Sequence, residues 1–442
     1  MTRLGHNLAL ALAVTLTALA GKARAAVEIQ EVTSPGGITA WLVEEHTIPF
    51  TALEIRFKGG SSLDAPGKRG ATHLMVGLLE EGAADRDARA FAKATEELAA
   101  QFNFDIYDTA VAISARFLTE NRDQAIDLLR TALVEPNFEA ESIERVRAQV
   151  VSIIQGDAQD PSTIARTRFD RMAFGDHPFG SPHEGTLESL AALTRNDLVD
   201  AHDRALAKDR LYIGAVGDIT PEELGLLLDR LLGDLPDTGA EIPEDPAFAL
   251  DVGLTVIPFQ TPQSVAFFGH EGITRDDPDF FAAYVVNEIF GGSGFQSRLM
   301  QEVREKRGLT YGIGSYLASF DEVGMVLGQV ATANDRMAET VSLLRDLWAE
   351  VAETGVTQEE LDAAKTYVTG AYPLRFDGNA TIARIMVGMQ TQELPIDYIA
   401  TRNDKINAVT LEDVNRVAKR IYRPEDLHVI VVGQPDGLPM TE

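Results

Sequence analysis

Few residues in this chain combine the type and the spacing that chemistry needs. There are eight histidines and no cysteine, so thiolate metal sites and disulfides are excluded. Two histidines four apart on a helix share one face, which lets both imidazoles take one zinc ion. No pair here has that spacing. Glu80 is two helical turns beyond His73, roughly 10 Å along the axis, and metal bonds of about 2 Å cannot close that gap from one rigid helix. His177 and His183 flank a Pro/Gly-rich loop, where His177 reads as a hydrogen-bonded loop residue rather than a ligand. Arg304 and Tyr311 offer a second kind of chemistry. The planar arginine fork can hold a peptide carbonyl or carboxylate with two bonds, and a tyrosine hydroxyl can donate to a developing oxyanion. Read by themselves, the two are open to a plainer account: Arg304 on the solvated face of the charged run Glu302–Arg307, Tyr311 as a packed strand aromatic.

The elements that must position these residues repeat along the chain. Leu193-Thr-Arg-Asn-Asp-Leu198 matches Val409-Thr-Leu-Glu-Asp-Val414 at an offset of 216 residues. At the same offset, each leads through a helix into an apolar strand ending in glycine, Leu211–Gly217 and Leu427–Gly433. Thr194 and Thr410 each precede an aspartate by three residues, a variant of the capping box. A gapless match of cap, helix length and strand end marks an internal duplication. Strands with period-two alternation open the first copy (39–43 and 51–57) and recur at 111–117. Residues 123–133 are apolar at 125, 126, 128, 129, 132 and 133, a helical face, and Thr357-Gln-Glu-Glu360 is a full capping box. Grouped strands with segregated helices predict an α+β fold: two homologous units, each a mixed, largely antiparallel sheet with helices on one side. Between them, residues 235–246 hold three prolines, a glycine and four acids, the composition of a linker. The expected division is a leader at 1–25, a first unit at 26–235, a linker at 236–250 and a second unit at 251–442.

The leader reads as a secretory signal. Arg3 opens it, residues 8–20 are apolar and uncharged, and Ala23-Arg24-Ala25 places small residues at the two recognition positions for cleavage. A retained anchor is the other reading, disfavoured because the apolar run is short for a membrane span. No later stretch approaches 18 uninterrupted apolar residues, so the mature protein is expected to be soluble. The whole chain has 39 basic and 68 acidic residues. Cleavage removes three basic residues and leaves 36 against 68, a net charge of −32. Such a surface repels phosphate backbones and anionic lipid heads, which argues against nucleic-acid and membrane-surface binding. The expected location is the periplasm, with full secretion left open.

Three signatures, in order over the duplicated frame, resemble those of the inverzincin peptidases, the pitrilysin, insulin-degrading and mitochondrial processing peptidase family. They are residues 59–70 (Gly59-Gly-Ser-Ser-Leu-Asp-Ala-Pro-Gly-Lys-Arg-Gly70), Phe174–Gly180 with Gly185-Thr186, and Gly291–Leu299 followed by Glu302–Tyr311. The resemblance implies two halves enclosing a chamber, and it implies a zinc helix carrying His-x-x-Glu-His with a distal glutamate ligand. At the matching positions this chain has His73, then Val76 for the general base and Gly77 for the second histidine. Ile153, or Ile154, stands for the distal ligand. The resemblance thus implies no metal ligand set and no catalytic residue on this chain. It also assigns Arg304 and Tyr311 as the pair that holds substrate beside a zinc. Gly291-Gly-Ser-Gly294 is read as a helix-ending turn rather than a substrate-guiding loop. Leu309–Tyr316 is expected as a strand in which Gly312 and Gly314 permit close backbone approach.

The function implied by the resemblance is a non-catalytic, substrate-binding subunit. It would supply Arg304 and Tyr311 to an active site whose zinc is carried by a homologous partner chain, with a peptide as substrate. The alternative from another class is a stand-alone peptide-binding or scaffold protein. Retention of the arginine and tyrosine weighs against the alternative, and an adjacent gene for a zinc-binding sister would discriminate the two.

Overall fold

The structure is a computed structural model describing residues 28–441 apart from 293, 295, 321 and 322; the leader lies outside the described residues. The first half holds strands β1 (Gln30–Thr33), β2 (Thr39–Glu44), β3 (Phe50–Lys58), β4 (Gly82–Ala83), β5 (Arg86–Asp87), β6 (Gln101–Ile106), β7 (Ala110–Leu118) and β8 (Leu211–Gly217). Its helices are α1 (Ala71–Val76), α2 (Ala88–Glu97), α3 (Arg122–Val134), α4 (Ala140–Asp157), α5 (Pro161–Phe174), α6 (Leu187–Ala192), α7 (Arg195–Ala205) and α8 (Pro221–Leu232). The second half holds β9 (Gly253–Pro258), β10 (Gln263–Glu271), β11 (Ile313–Phe320), β12 (Val323–Ala333) and β13 (His428–Gly433). With them come α9 (Phe280–Gly291), α10 (Met337–Thr354), α11 (Gln358–Ala371), α12 (Asn379–Thr391), α13 (Tyr398–Ala408) and α14 (Leu411–Ile421). No regular element interrupts residues 238–251. No helix among the described residues is long and apolar enough to cross a membrane.

The duplication is written into the strand order. The first sheet runs β1-β2-β8-β3-β7-β6 and the second β9-β13-β10-β12-β11. Setting β1 aside, they are one pattern. In each, the last strand inserts in the middle, parallel to the first strand of its copy and antiparallel to the next. The matched caps behave alike as well: the Asp197 carboxylate accepts from the Thr194 N–H at 2.7 Å, and that of Asp413 accepts from the Thr410 N–H at 3.0 Å. Each closes a capping box that starts the helix feeding the central strand.

Alternation along the strands sends side chains into separate cores. Val429 and Val431 of β13 join Phe268, Phe290, Trp348 and Tyr422 against helices of their own copy. Ile430 and Val432, on the opposite face, pack with Phe267 against Ala165, Phe169 and Phe174 of α5, a helix of the first copy. The exchange is reciprocal. Val216 of β8 and Trp41 of β2 pack on Ala383, Met386 and Met389 of α12, from the second copy. Gly214 belongs to this contact: a Cβ there would sit 2.7 Å from the Ala383 carbonyl oxygen. The Gln390 side chain brackets the backbone of Ile213, donating at 2.8 Å and accepting at 3.3 Å. Each sheet thus has its own copy's helices on one face and a helix of the other copy on the other, which explains why β13 is buried along its whole length.

Candidate functional site

The site is built around α1. The Asp64 carboxylate caps that helix, accepting from the Gly70 and Thr72 N–H groups at 2.8 Å and from the Thr72 hydroxyl at 2.7 Å. Arg69, just before the helix, reaches the Asp108 carboxylate at 2.8 Å and the carbonyls of Pro178, Ser181 and Pro182 at 2.9, 2.8 and 3.1 Å. The guanidinium therefore ties the 178–182 loop to the start of α1. Two glycines let the backbones meet. A Cβ at Gly70 would lie 2.4 Å from the Glu184 carbonyl oxygen, and one at Gly185 would lie 2.4 Å from that of Arg69. Both have positive φ, +93° and +82°, where a side chain would be strained anyway.

This clamp sets His183 and Glu184 against His73. The two imidazoles stack with centroids 5.2 Å apart and planes 26° apart. His183 Nε2 is 3.1 Å from Glu184 Oε1, and one ligand atom from each of the three residues falls within 4.8 Å of the others. Among the described residues this is the one such group of three or more. Burial, reinforced by the neighbouring His183, holds the His73 imidazole well below the usual histidine range, with Glu184 opposing. His73 Nδ1 is buried and has no hydrogen-bond partner. His183 and Glu184 face a cavity of about 1130 Å³ that Asp157, Asp170 and, from the second copy, Ile257 also line. Burial lifts the Asp170 carboxyl to about 7 against the pull of Arg166. Burial, then Glu184 and Asp160, push the Asp157 carboxyl up, with His183 opposing.

The positions implied for a hydrolytic zinc do not fit one. Val76 is buried in the first copy's core. Helix α1 ends there, and a Cβ added at Gly77 would lie 3.0 Å from Val146 Cγ1, so an imidazole has no room without moving Val146. Ile153 is 45% exposed on α4 and Ile154 packs against the core. Glu80 lines a different groove, with Phe91 and Phe102. His177 is the hydrogen-bonded loop residue expected from its surroundings: Nδ1 accepts from the Phe179 N–H at 3.2 Å, which leaves Nε2 to donate to the Glu244 carbonyl at 3.1 Å.

Arg304 and Tyr311 lie elsewhere. Arg304 lies in the last part of a wide helical turn, Met300–Glu305, and lines an open groove of about 440 Å³ with Gln296, Gln301, Glu305 and Lys306. Its Nε is 3.6 Å from the Glu305 carboxylate. Gly308 closes the turn at φ +60°, its N–H donating to the Arg304 carbonyl at 2.8 Å. Tyr311 is 89% exposed. The expected strand begins only at Ile313, so Tyr311 sits on its lead-in, held by the Thr310 hydroxyl, which donates to the Ala331 carbonyl at 2.7 Å. Gly314 does meet close backbone, the Gly291 carbonyl oxygen at 3.0 Å from a built Cβ, whereas Gly312 faces open space. Neither Arg304 nor Tyr311 lines the large cavity. The His183–Glu184 contribution to His73 was not foreseen from the sequence. Its one signal was the glycine pair, Gly70 and Gly185, which marks close backbone contact but not with what.

Two family profiles match the chain: insulinase (peptidase family M16) over residues 40–187, and peptidase M16 inactive domain over residues 192–368. The protein is 27% identical over 393 residues to a Helicobacter pylori protein named non-peptidase homolog YmxG, spanning 88% of this chain and 90% of that one. It is 24% identical over 421 residues to an uncharacterized zinc protease YmxG of Bacillus subtilis, spanning 93% and 100%. Among solved structures it is similar to a peptidase M16 inactive domain from Pseudomonas fluorescens. That match has a TM-score of 0.87 and 29% identity, and it covers 94% of this chain and all of the other.

Proposed function

The chain belongs to the M16 (insulinase) peptidase family as an inactive homologue, and from that premise we propose that it is the substrate-binding, non-catalytic subunit of an exported heterodimeric zinc metallopeptidase. Its partner is a homologous chain with an intact His-x-x-Glu-His helix. The zinc, when bound on that partner, supplies the Lewis acid and the activated water of peptide hydrolysis. Arg304 and Tyr311 of this chain hold the peptide and its developing oxyanion from across the interface. The leader supports a periplasmic location.

One observation carries the reading. The zinc helix has lost its acid and its second histidine to a valine and a glycine that fit the core, while the tyrosine of the substrate-holding pair stands 89% exposed. An aromatic ring so little used by its own fold is available to another surface. The large cavity favours a second reading, a peptide-binding protein that acts without an enzymatic partner.

The deciding experiment is reconstitution. The isolated, metal-stripped chain should cleave no peptide, and mixing it with a zinc-bearing homologue from the same envelope fraction should yield activity. Tyr311→Phe should then lower the rate about 10²-fold or more, the usual effect of removing one oxyanion donor, and Arg304→Ala should raise KM as well. Hydrolysis by the isolated chain, or full activity of both variants in the complex, would overturn the reading. A specific peptide affinity that no homologue alters would favour the partnerless alternative.

A further inference from the structure

Of the ligand positions that the family resemblance implies, only His73 keeps a donor, and one of its ring nitrogens is left without a partner by the fold. His73 presents a buried ring nitrogen with no hydrogen-bond partner. A buried polar atom without a partner normally costs stability, so its retention calls for a role. Beside its ring lie a second imidazole, stacked at 5.2 Å between centroids, and a carboxylate, His183 and Glu184, delivered by a loop that Arg69 and two glycines pin to the start of α1. Two imidazoles and one carboxylate are a donor set suited to zinc and its neighbours in the first transition row.

We propose that His73, His183 and Glu184 bind one zinc-type transition-metal dication, at a site displaced from the one the family uses. The geometry is close to what such an ion needs. Tetrahedral coordination with bonds of 2.0–2.1 Å sets donors about 3.3 Å apart. The Nε2–Oε1 separation of His183 and Glu184 is already 3.1 Å, and the full set, within 4.8 Å, must contract by up to about 1.5 Å about the His73 ring. His183 and Glu184 sit on a loop, where side-chain rotation supplies that movement. The remaining position faces the large cavity that Asp157 also lines. The family's third ligand comes from α4; here the loop before α6 replaces it. The bound ion would fasten that loop to α1 and shape one wall of the cavity. The site does not need a partner chain, so its test is separate from that of the heterodimer.

The test uses the full, tag-free, metal-stripped chain. Titration with Co²⁺, followed by its visible absorption, should show one equivalent bound in a tetrahedral or five-coordinate nitrogen–oxygen site. Zn²⁺ should displace it one for one. His183→Ala and Glu184→Gln should each weaken Co²⁺ binding at least tenfold, whereas His177→Ala, on the neighbouring hydrogen-bonded histidine, should leave it unchanged. His183 and Glu184 lie outside the core, so both variants should keep the wild-type circular dichroism; if one does not fold, the other decides. Wild-type protein that retains less than a tenth of an equivalent after dialysis, or wild-type affinity in a folded His183→Ala or Glu184→Gln variant, would overturn the proposal.

Discussion

The helix that follows the long strand of each copy is the same element put to two uses. After β10, α9 runs twelve residues, and Phe290 near its end meets Trp348 and Tyr422 at centroid distances of 5.3 and 4.8 Å. After β3, α1 runs six residues and stops at Val76. Each helix carries a polar side chain toward its apolar neighbours, and the two are treated differently. Asn287 on α9 is satisfied: its amide donates to the Ser315 carbonyl at 3.1 Å, its oxygen accepts from the Ser315 hydroxyl at 2.8 Å, and the Tyr422 hydroxyl lies 3.4 Å from it. His73 on α1 has a buried nitrogen that nothing meets. A polar residue that serves the fold finds its partners inside the fold. One that does not leaves the fold with a desolvation cost. The copies therefore differ at this helix: α9 satisfies Asn287 within the core, and α1 leaves a His73 nitrogen without a partner.

Comparing the copies only works if their sheets truly exchange helices, and that is where the largest effect lies. Phe169 of α5 is fully buried against Phe267, 5.1 Å away in the other copy's sheet. Phe169→Ala should cost about 3–5 kcal/mol by denaturant unfolding. Met386→Ala, at the reciprocal contact on α12, should cost less, because a flexible thioether leaves a gap that neighbours fill more readily. Hydrogen exchange separates this from ordinary core loss. Phe169→Ala should expose amides of β10 and β13, in the second copy, more than those of β6 and β7. Loss of protection confined to the first sheet would mean that the exchange does not couple the copies.

A second asymmetry appears with acid. In the second copy His270 is buried, with Nε2 accepting from the Trp348 indole at 3.0 Å and Nδ1 2.7 Å from the Glu271 carbonyl. Burial depresses its pKa from 6.5 to about 4, the Glu271 carbonyl opposing. A folded state that disfavours the proton is the weaker binder of the two, so the unfolded chain takes up the proton first. The stability His270 contributes is therefore complete above pH 6.5 and lost as pH falls from 6.5 to about 4. At 1.36 kcal/mol for each pH unit, the loss is roughly 3 kcal/mol. Unfolding free energies of wild type and His270→Gln, measured from pH 7 to pH 4, should converge as pH falls. Parallel curves would show that His270 keeps its unfolded pKa.

Much of this was legible in the residues, and what was not has a common cause. The repeat, both capping boxes, the amphipathic face of α3 and the glycine-ended central strands each depend on neighbours within about one element, so their signals are local. The loss of the hydrolytic site was legible through the family resemblance, which gives positions 73, 76 and 77 their implied roles. His183 is 110 residues from His73, and the Arg69 clamp with the close approaches of Gly70 to Glu184 and Gly185 to Arg69 brings them together. Nothing in either segment's own pattern states the meeting. The faces of α5 and α12 likewise announce that they are apolar but not which sheet they cover, because periodicity gives a face and not its partner. The lead-in position of Tyr311 was missed because the β-prone run 309–316 pairs with β12 only from Ile313.

The smallest effect bears most directly on the contrast between Asn287 and His73, because the two substitutions should differ in sign. Asn287→Ala leaves the Ser315 hydroxyl and carbonyl and the Tyr422 hydroxyl with a buried partner missing, which should cost about 1–3 kcal/mol. His73→Leu, in chelator-treated buffer, replaces a buried nitrogen that already lacks a partner with an apolar group of similar bulk. Its stability should be unchanged or slightly raised, since no hydrogen bond is broken and a desolvation penalty is removed. Measured side by side at pH 7.5, where the His73 imidazole is neutral in the unfolded chain as well, the difference isolates packing from charge. A loss above about 1 kcal/mol on His73→Leu would mean that His73 serves the fold as Asn287 does. The first copy's helix would then be core like the second's, and the reason to look for a ligand at His73 would be gone.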